Sequence, residues 1–211
     1  MNADVTILAE TITAASQKVG NRRLVIGIAG PPGSGKSTMA AALAAALIAR
    51  DRAAVILPMD GFHLANRLLE EKGLLSRKGA PETFDRFGFA SALKTVRLDQ
   101  QEVFVPEFDR EQDLAIAAAI SIAPEDRIVI VEGNYLLLDE PGWRDLRHML
   151  DFTVFLDPPL NLLEERLVRR WRDHGLDAEA AEQRARENDI VNAKRVLAHR
   201  LPATRVFDTI A

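Results

Sequence analysis

Residues 30–37 read Gly-Pro-Pro-Gly-Ser-Gly-Lys-Ser and fill every fixed position of the pattern G-x-x-x-x-G-K-[ST]. The chemistry open to such an octet is the holding of a nucleoside triphosphate. Gly30, Gly33 and Gly35 let the backbone wrap closely and turn its N–H groups onto phosphate oxygens. A helix opening near Lys36 presents its positive end to the same anion. The Lys36 ammonium suits the β- and γ-phosphates, and the Ser37 hydroxyl suits Mg²⁺. Gly30, Gly33, Ser34, Gly35, Lys36, Ser37 and Thr38 are therefore the candidate nucleotide-binding set.

Two carboxylates and an arginine cluster complete the chemically suggestive residues. Asp60 follows the apolar run Ala53–Pro58, and Glu132 follows Ile128–Val131. In a parallel sheet both fall at the carboxyl edge, where the phosphate loop also lies. Asp60 is the candidate general base for an attacking hydroxyl, work worth about 10²–10⁴ in rate; the bland alternative is an Asp-Gly turn. Glu132 is the candidate partner of Mg²⁺ or of substrate. Within Glu164-Glu165-Arg166-Leu167-Val168-Arg169-Arg170-Trp171-Arg172, a helix brings Arg166, Arg169 and Arg170 onto one face. A guanidinium supplied to a transferring phosphoryl group contributes about 10³–10⁵ in rate, and an arginine-bearing lid also excludes water. Otherwise the segment is a solvated face balanced by Glu164 and Glu165.

The elements that must position these groups alternate along the chain. Val5, Leu8, Ile12 and Ala15 recur at helical spacing, predicting a leading amphipathic helix within residues 1–20. Strand Leu24–Ala29, the loop, an alanine-rich helix Thr38–Arg50 and strand Ala53–Pro58 follow. Next come a short helix near Leu64–Glu71, a loop from Lys72 to Glu82, and a helix from Arg86 to Leu98 that Asp85 could cap. Val103–Pro106 reads as a short strand, whereas Ala115–Ile122 fits strand or helix. Strands Ile128–Val131 and Phe152–Leu156, helices Leu160–Asp173 and Ala178–His199, and a strand near Thr204–Phe207 complete the chain. Continuous apolar strands between helices predict a single α/β domain over residues 1–211, with a parallel sheet covered on both faces.

Composition narrows the classes. The chain has 211 residues, 47% hydrophobic and 27% charged, the balance of a globular enzyme. A net charge of −4 offers no field for a nucleic-acid backbone. With no cysteine there are no disulfides or thiolate metal sites. Met1–Val19 carries Asp4 and Glu10 and lacks the apolar core of a signal peptide, and no run suits a membrane span. A cytoplasmic location is expected. His63, His148, His174 and His199 lack metal-ligand spacing.

Several segments resemble the type I pantothenate kinase, uridine kinase and phosphoribulokinase superfamily. They are Asp60-Gly61-Phe62-His63, the stretch from Arg77 to Asp85, Ile128–Gly133 and the arginine segment. Pro58–Leu64, Glu132–Leu137 and Glu187-Asn188-Asp189 further resemble short bacterial kinases labelled nucleoside/nucleotide kinase or fructose transport system kinase. The resemblance runs from about residue 22 onward. It implies a three-layer α/β/α P-loop NTPase fold with a helical lid at about 160–175. It also implies Asp60 as base, Glu132 near the metal, Asp85 near the acceptor, and Arg166, Arg169 and Arg170 as lid arginines. One departure bears on substrate. Where pantothenate kinase carries a histidine and tyrosines, this chain reads Pro106-Glu107-Phe108-Asp109-Arg110-Glu111. Asp109 and Arg110 offer a charged pair suited to sugar hydroxyls or an anionic acceptor, or else a surface turn with a local ion pair.

The expected activity is transfer of the γ-phosphoryl group of ATP, with Mg²⁺, to an alcohol of a small metabolite: a sugar, a nucleoside or a pantothenate-like molecule. A nucleotide-driven switch and a regulatory ATP-binding protein stand as alternatives. No N-K-x-D or L-S-G-G-Q motif supports the first. The acceptor's identity, ATP against GTP, and monomer against homodimer are left open.

Overall fold

The structure, a computed structural model, describes residues 3–20, 22–98 and 101–208. Helix α1 (Ala3–Lys18) leads into β1 (Leu24–Ala29), followed by α2 (Lys36–Ile48) and β2 (Ala54–Pro58). Helices α3 (Asn66–Glu71) and α4 (Arg86–Leu98) precede β3 (Val103–Asp109) and β4 (Leu114–Ile122). Then come β5 (Ile128–Gly133), β6 (Phe152–Leu156), α5 (Leu160–Asp173), α6 (Ala178–Arg184), α7 (Ile190–Ala198) and β7 (Arg205–Phe207). The expected leading helix is present; Met1 and Asn2 lie outside the described residues.

Five strands form one parallel sheet in the order β2-β5-β1-β6-β7. Every residue of β1 and β5 is buried, which is why both read as unbroken apolar runs. Alternate side chains serve opposite layers. Ile26, Ile28, Ile128 and Ile130 pack with Val5, Leu8 and Ile12 of α1 and Met39 and Leu43 of α2. Val25, Val129 and Val131 pack with Phe89, Leu93 and Val96 of α4 and with Tyr135 and Leu137. Each fully buried Leu, Ile or Phe contributes about 1.5–3 kcal/mol through burial. Buried Ala40 and Ala46 of α2 let that helix approach the sheet closely. Two apolar layers flanking one sheet make the expected α/β/α architecture. Among the described residues, no helix is long and apolar enough to cross a membrane.

Two elements differ from the sequence reading. β3 and β4 form a separate antiparallel hairpin, and the ambiguous segment around Ala115–Ile122 is strand. The ladder shifts register between Val105 and Glu107, at Pro106, which has no N–H to donate. The single helix expected over Ala178–His199 is instead α6 and α7 joined by a π turn at Ala185–Asp189. Such a turn holds an extra residue and so breaks the 3.6-residue period. Helix α5 is anchored by Leu163 and Leu167 against Ala185, Ile190 and Ala193. It also lies on the phosphate loop: a Cβ at Gly33 would stand 3.1 Å from the Leu167 side chain.

The hairpin crosses the turn Met59–Phe62 at the end of β2. A Cβ on Gly61 would run into the Pro106 carbonyl group, its carbon 2.7 Å away. Gly61→Ala must therefore displace backbone, and a loss of about 1–3 kcal/mol is expected. Denaturant unfolding checks it; a variant as stable as the parent would show that the hairpin does not bear on this turn.

Candidate active site

β1 ends in the apolar interior and the chain turns at once through Gly33 (φ 78°) and Gly35 (φ 93°), left-handed conformations that glycine adopts without strain. Gly35 heads α2, and no side chain caps that helix start. Its first-turn N–H groups are thus open to an anion. Lys36 is only 8% exposed, and its Nζ donates to the Pro31 carbonyl at 3.0 Å. Burial lowers the Lys36 pKa to about 8, against the pull of Glu132 and Asp60. Ser37 Oγ donates to Glu132 Oε1 at 3.1 Å. Glu132 closes β5 beside β1, and burial raises its pKa while Lys36 opposes the rise.

Asp60 stands at the end of β2, in the 3₁₀ turn Met59–Phe62. Arg110, from the hairpin tip, donates to Asp60 Oδ2 at 2.9 Å. The expected Asp109–Arg110 pair is therefore replaced by a tertiary one. Asp109 instead accepts from the N–H groups of Glu111 and Gln112 and from the Gln112 side chain, closing the β3–β4 turn. These hydrogen bonds hold its carboxyl below the usual range. From α5, Arg166 donates to the Gly33 carbonyl at 3.3 Å. Arg169 lies 3.9 Å from Glu165, one helical turn away. The Arg170 guanidinium makes no hydrogen bond or ion pair among the described residues. Burial, and next the like charge of Arg110, lower its pKa.

These groups surround a cavity of about 590 Å³ over the phosphate loop, lined by residues 32–38 with Asp60, Arg110, Glu132, Asn134 and the three arginines of α5. It brings together five cationic side chains and two carboxylates, in a chain whose net charge is −4. That local excess suits a polyanion. The donor set also fits Mg²⁺. A hydroxyl and a carboxylate stand together at Ser37 and Glu132, and Mg²⁺ commonly takes one or two protein oxygens with phosphates and waters completing its shell. Among the described residues, no group of three or more His, Asp and Glu could hold a metal without such help.

A second cavity of about 590 Å³ adjoins the first and shares Pro32, Asp60, Arg110, Asn134 and Arg170 with it. Its remaining wall includes His63, Lys78, Phe108, Trp171 and Asp189, none of which the sequence reading placed at the site. His63 rests between Phe84 and Phe108, with ring centroids 4.0 and 4.7 Å away. Its Nδ1 bonds the Asp60 carbonyl at 2.8 Å, and burial lowers its pKa. Asp85 lines neither cavity. It is exposed and caps α4, its Oδ1 accepting from the Gly88 N–H at 2.8 Å. The cap uses one of its two carboxylate oxygens. A faint signal for the missed wall lay in Glu187-Asn188-Asp189, whose two buried polar residues break the helical pattern.

The sequence pattern of the Phosphoribulokinase / Uridine kinase family matches residues 25–193. The uncharacterized protein YggC of Escherichia coli K12 is 36% identical over 199 residues, 92% of this chain and 82% of its own. The provisionally assigned uridine kinase C227.14 of Schizosaccharomyces pombe is 36% identical over 180 residues, 81% of this chain and 77% of its own. A crystal structure from Silicibacter sp. TM1040, provisionally named a fructose transport system kinase, superposes with a TM-score of 0.92 at 48% identity. That match covers 96% of this chain and 98% of the other. With the phosphate loop at the end of a five-stranded parallel sheet, the chain belongs to the phosphoribulokinase/uridine kinase family of P-loop kinases.

Proposed function

We propose that this protein transfers the γ-phosphoryl group of ATP to an alcohol group of a small metabolite. The observation that carries the reading is the junction of the two cavities: Asp60, Arg110 and Arg170 line both. A donor phosphate on one side and an acceptor hydroxyl on the other would meet at a base and two guanidinium groups. A nucleotide-driven switch would have no use for the second cavity.

The residues divide the work. Lys36 and the N–H groups at the start of α2 bind the β- and γ-phosphates. Ser37 and Glu132 would hold Mg²⁺, which supplies charge neutralisation for the phosphates. Asp60 accepts the proton of the acceptor hydroxyl as its oxygen attacks; Arg110 engages only Oδ2 and leaves Oδ1 for that proton. Arg170, without a carboxylate partner, stabilises the charge on the transferring group, and Arg110 adds to it from the opposite side. Arg166 and Arg169 extend the positive rim along α5.

The testing experiment is ADP formation from ATP and Mg²⁺ across a panel of alcohols. Acceptor-dependent turnover is expected, and Asp60→Asn lowers kcat by about 10²–10⁴ with ATP affinity unchanged. Equal turnover in that variant removes Asp60 as the base. Lys36→Met weakens ATP binding measured by calorimetry, while the protein without nucleotide unfolds at no lower temperature. The buried ammonium costs free energy that Glu132 and Asp60 offset only in part. Undiminished ATP binding by Lys36→Met would overturn the phosphate assignment.

A further inference from the structure

The chemistry of the acceptor cavity is not that of the phosphate cavity, and the π turn at Ala185–Asp189 makes part of the difference. The extra residue in that turn shifts the helical phase, so that Asn188 and Asp189, neighbours in sequence, are both buried at 1% and 9% exposure. Asn188 is fully engaged. Its amide donates to the Lys78 carbonyl at 2.8 Å, and its oxygen accepts from Arg77 at 2.9 Å and Asn192 at 3.3 Å. Asp189 Oδ2 accepts from the Trp171 indole N–H at 2.6 Å. Its Oδ1 has no hydrogen-bond partner among the described residues, and the residue lines the cavity.

Charge in this cavity is nearly balanced. Lys78 spends its donors on Asn66 Oδ1, the Asp113 carbonyl and Asp113 Oδ1, at 2.6, 2.9 and 2.8 Å. Arg110 is paired with Asp60 at 2.9 Å. Arg184 donates to the Ser76 carbonyl at 2.8 Å, and Asp189 feels the charge of Arg170 first and of Arg184 next. Four cations thus face three carboxylates, a surplus of one positive charge, and Arg170, whose guanidinium no carboxylate bonds, sits at the junction where the phosphoryl group passes. No cation is left for a second anion. The aromatic rings are also already engaged. Phe108 carries His63 at 4.7 Å and Lys78 at 5.0 Å, and Trp171 carries Arg184 at 5.0 Å and His174 at 5.8 Å. A base stacking on either ring would compete with these contacts.

We infer that the acceptor is an uncharged, polyhydroxylated molecule, a free sugar or alditol, and that Asp189 determines specificity by accepting one of its hydroxyl protons. This rests on the kinase reading above. A carboxylate oxygen takes O–H donors and repels phosphate or carboxylate groups, so Asp189 selects on both counts. A second hydroxyl, the one that attacks, goes to Asp60 at the junction.

The test compares kcat/KM for free pentoses, hexoses and alditols with that for their phosphates, for hydroxy acids and for nucleosides, in the parent and in Asp189→Asn. Asparagine still accepts from Trp171, and thermal unfolding of the variant checks that the turn is intact. A neutral sugar or alditol is expected to lead the panel. Asp189→Asn should raise its KM by about tenfold or more, with the KM for ATP unchanged. A phosphorylated sugar, hydroxy acid or nucleoside as best acceptor overturns the inference and leaves the kinase reading standing. An unchanged acceptor KM in Asp189→Asn reduces that residue to a structural role and overturns its assignment. Binding of Mg²⁺ and ATP without turnover of any alcohol overturns the kinase reading, and this inference with it.

Discussion

Lys36 is 8% exposed, and Glu132, Asp60, Arg170 and Arg110 all act on its charge. Burial pulls the lysine pKa down to about 8 and pushes that of Glu132 up, so each loses solvation it would keep in water. The attraction between them offsets only part of that cost. None can move far, because Glu132 and Asp60 close β5 and β2 and Lys36 opens α2, all fixed by the apolar layers on either side of the sheet. On the proposed reading, a site held in this way relieves its electrostatic tension by binding an anion, with a cation beside Glu132, rather than by rearranging. The free energy of the apolar core is what makes that preorganisation stable.

Arginines reach this centre from two independent supports. Arg110 arrives on the β3–β4 hairpin, which bears on the Met59–Phe62 turn at Gly61. Arg166, Arg169 and Arg170 arrive on α5, which rests on the phosphate loop through Leu167 and is anchored through Leu163. The two supports share no backbone ladder, so either can adjust without dragging the other. Both converge on the same cavity, and the like charge of Arg110 acts against that of Arg170 there, a repulsion that an anion between them would relieve.

The parallel sheet and the phosphate loop were legible because their signals are local. A strand buried on both faces must be continuously apolar, and the residues from Gly30 to Thr38 are contiguous, so spacing specifies their geometry. Helices Arg86–Leu98 and Leu160–Asp173 and strand Phe152–Leu156 came out with the expected bounds. The hairpin was harder, because alanines 117–119 carry no strong preference and β4 is largely exposed, leaving no alternation to read. Arg110 stood out as a charge, but its partner lies across the fold at Asp60 rather than next door at Asp109. Asp189 was visible within Glu187-Asn188-Asp189 but carried no role, since a search for 3.6-residue periodicity discards the position where the period fails.

That contrast has a physical consequence for how such a site can change. The phosphate side is built from one loop and one helix start, so almost any substitution there disturbs backbone that several N–H groups share. The acceptor side is assembled from the end of β2, the segment around Lys78, the hairpin, α5 and the π turn, each contributing one or two side chains. A substitution at one of these supports alters a single polar contact and leaves the phosphate loop untouched. The charge balance of the second cavity is correspondingly fragile: replacing Asp113 or Asp189 alone would add one positive charge to its surplus and shift the cavity toward anions. On the proposed reading, acceptor choice therefore rests on few pairings held by separate elements, while the phosphoryl donor is held by backbone that cannot be altered piecemeal.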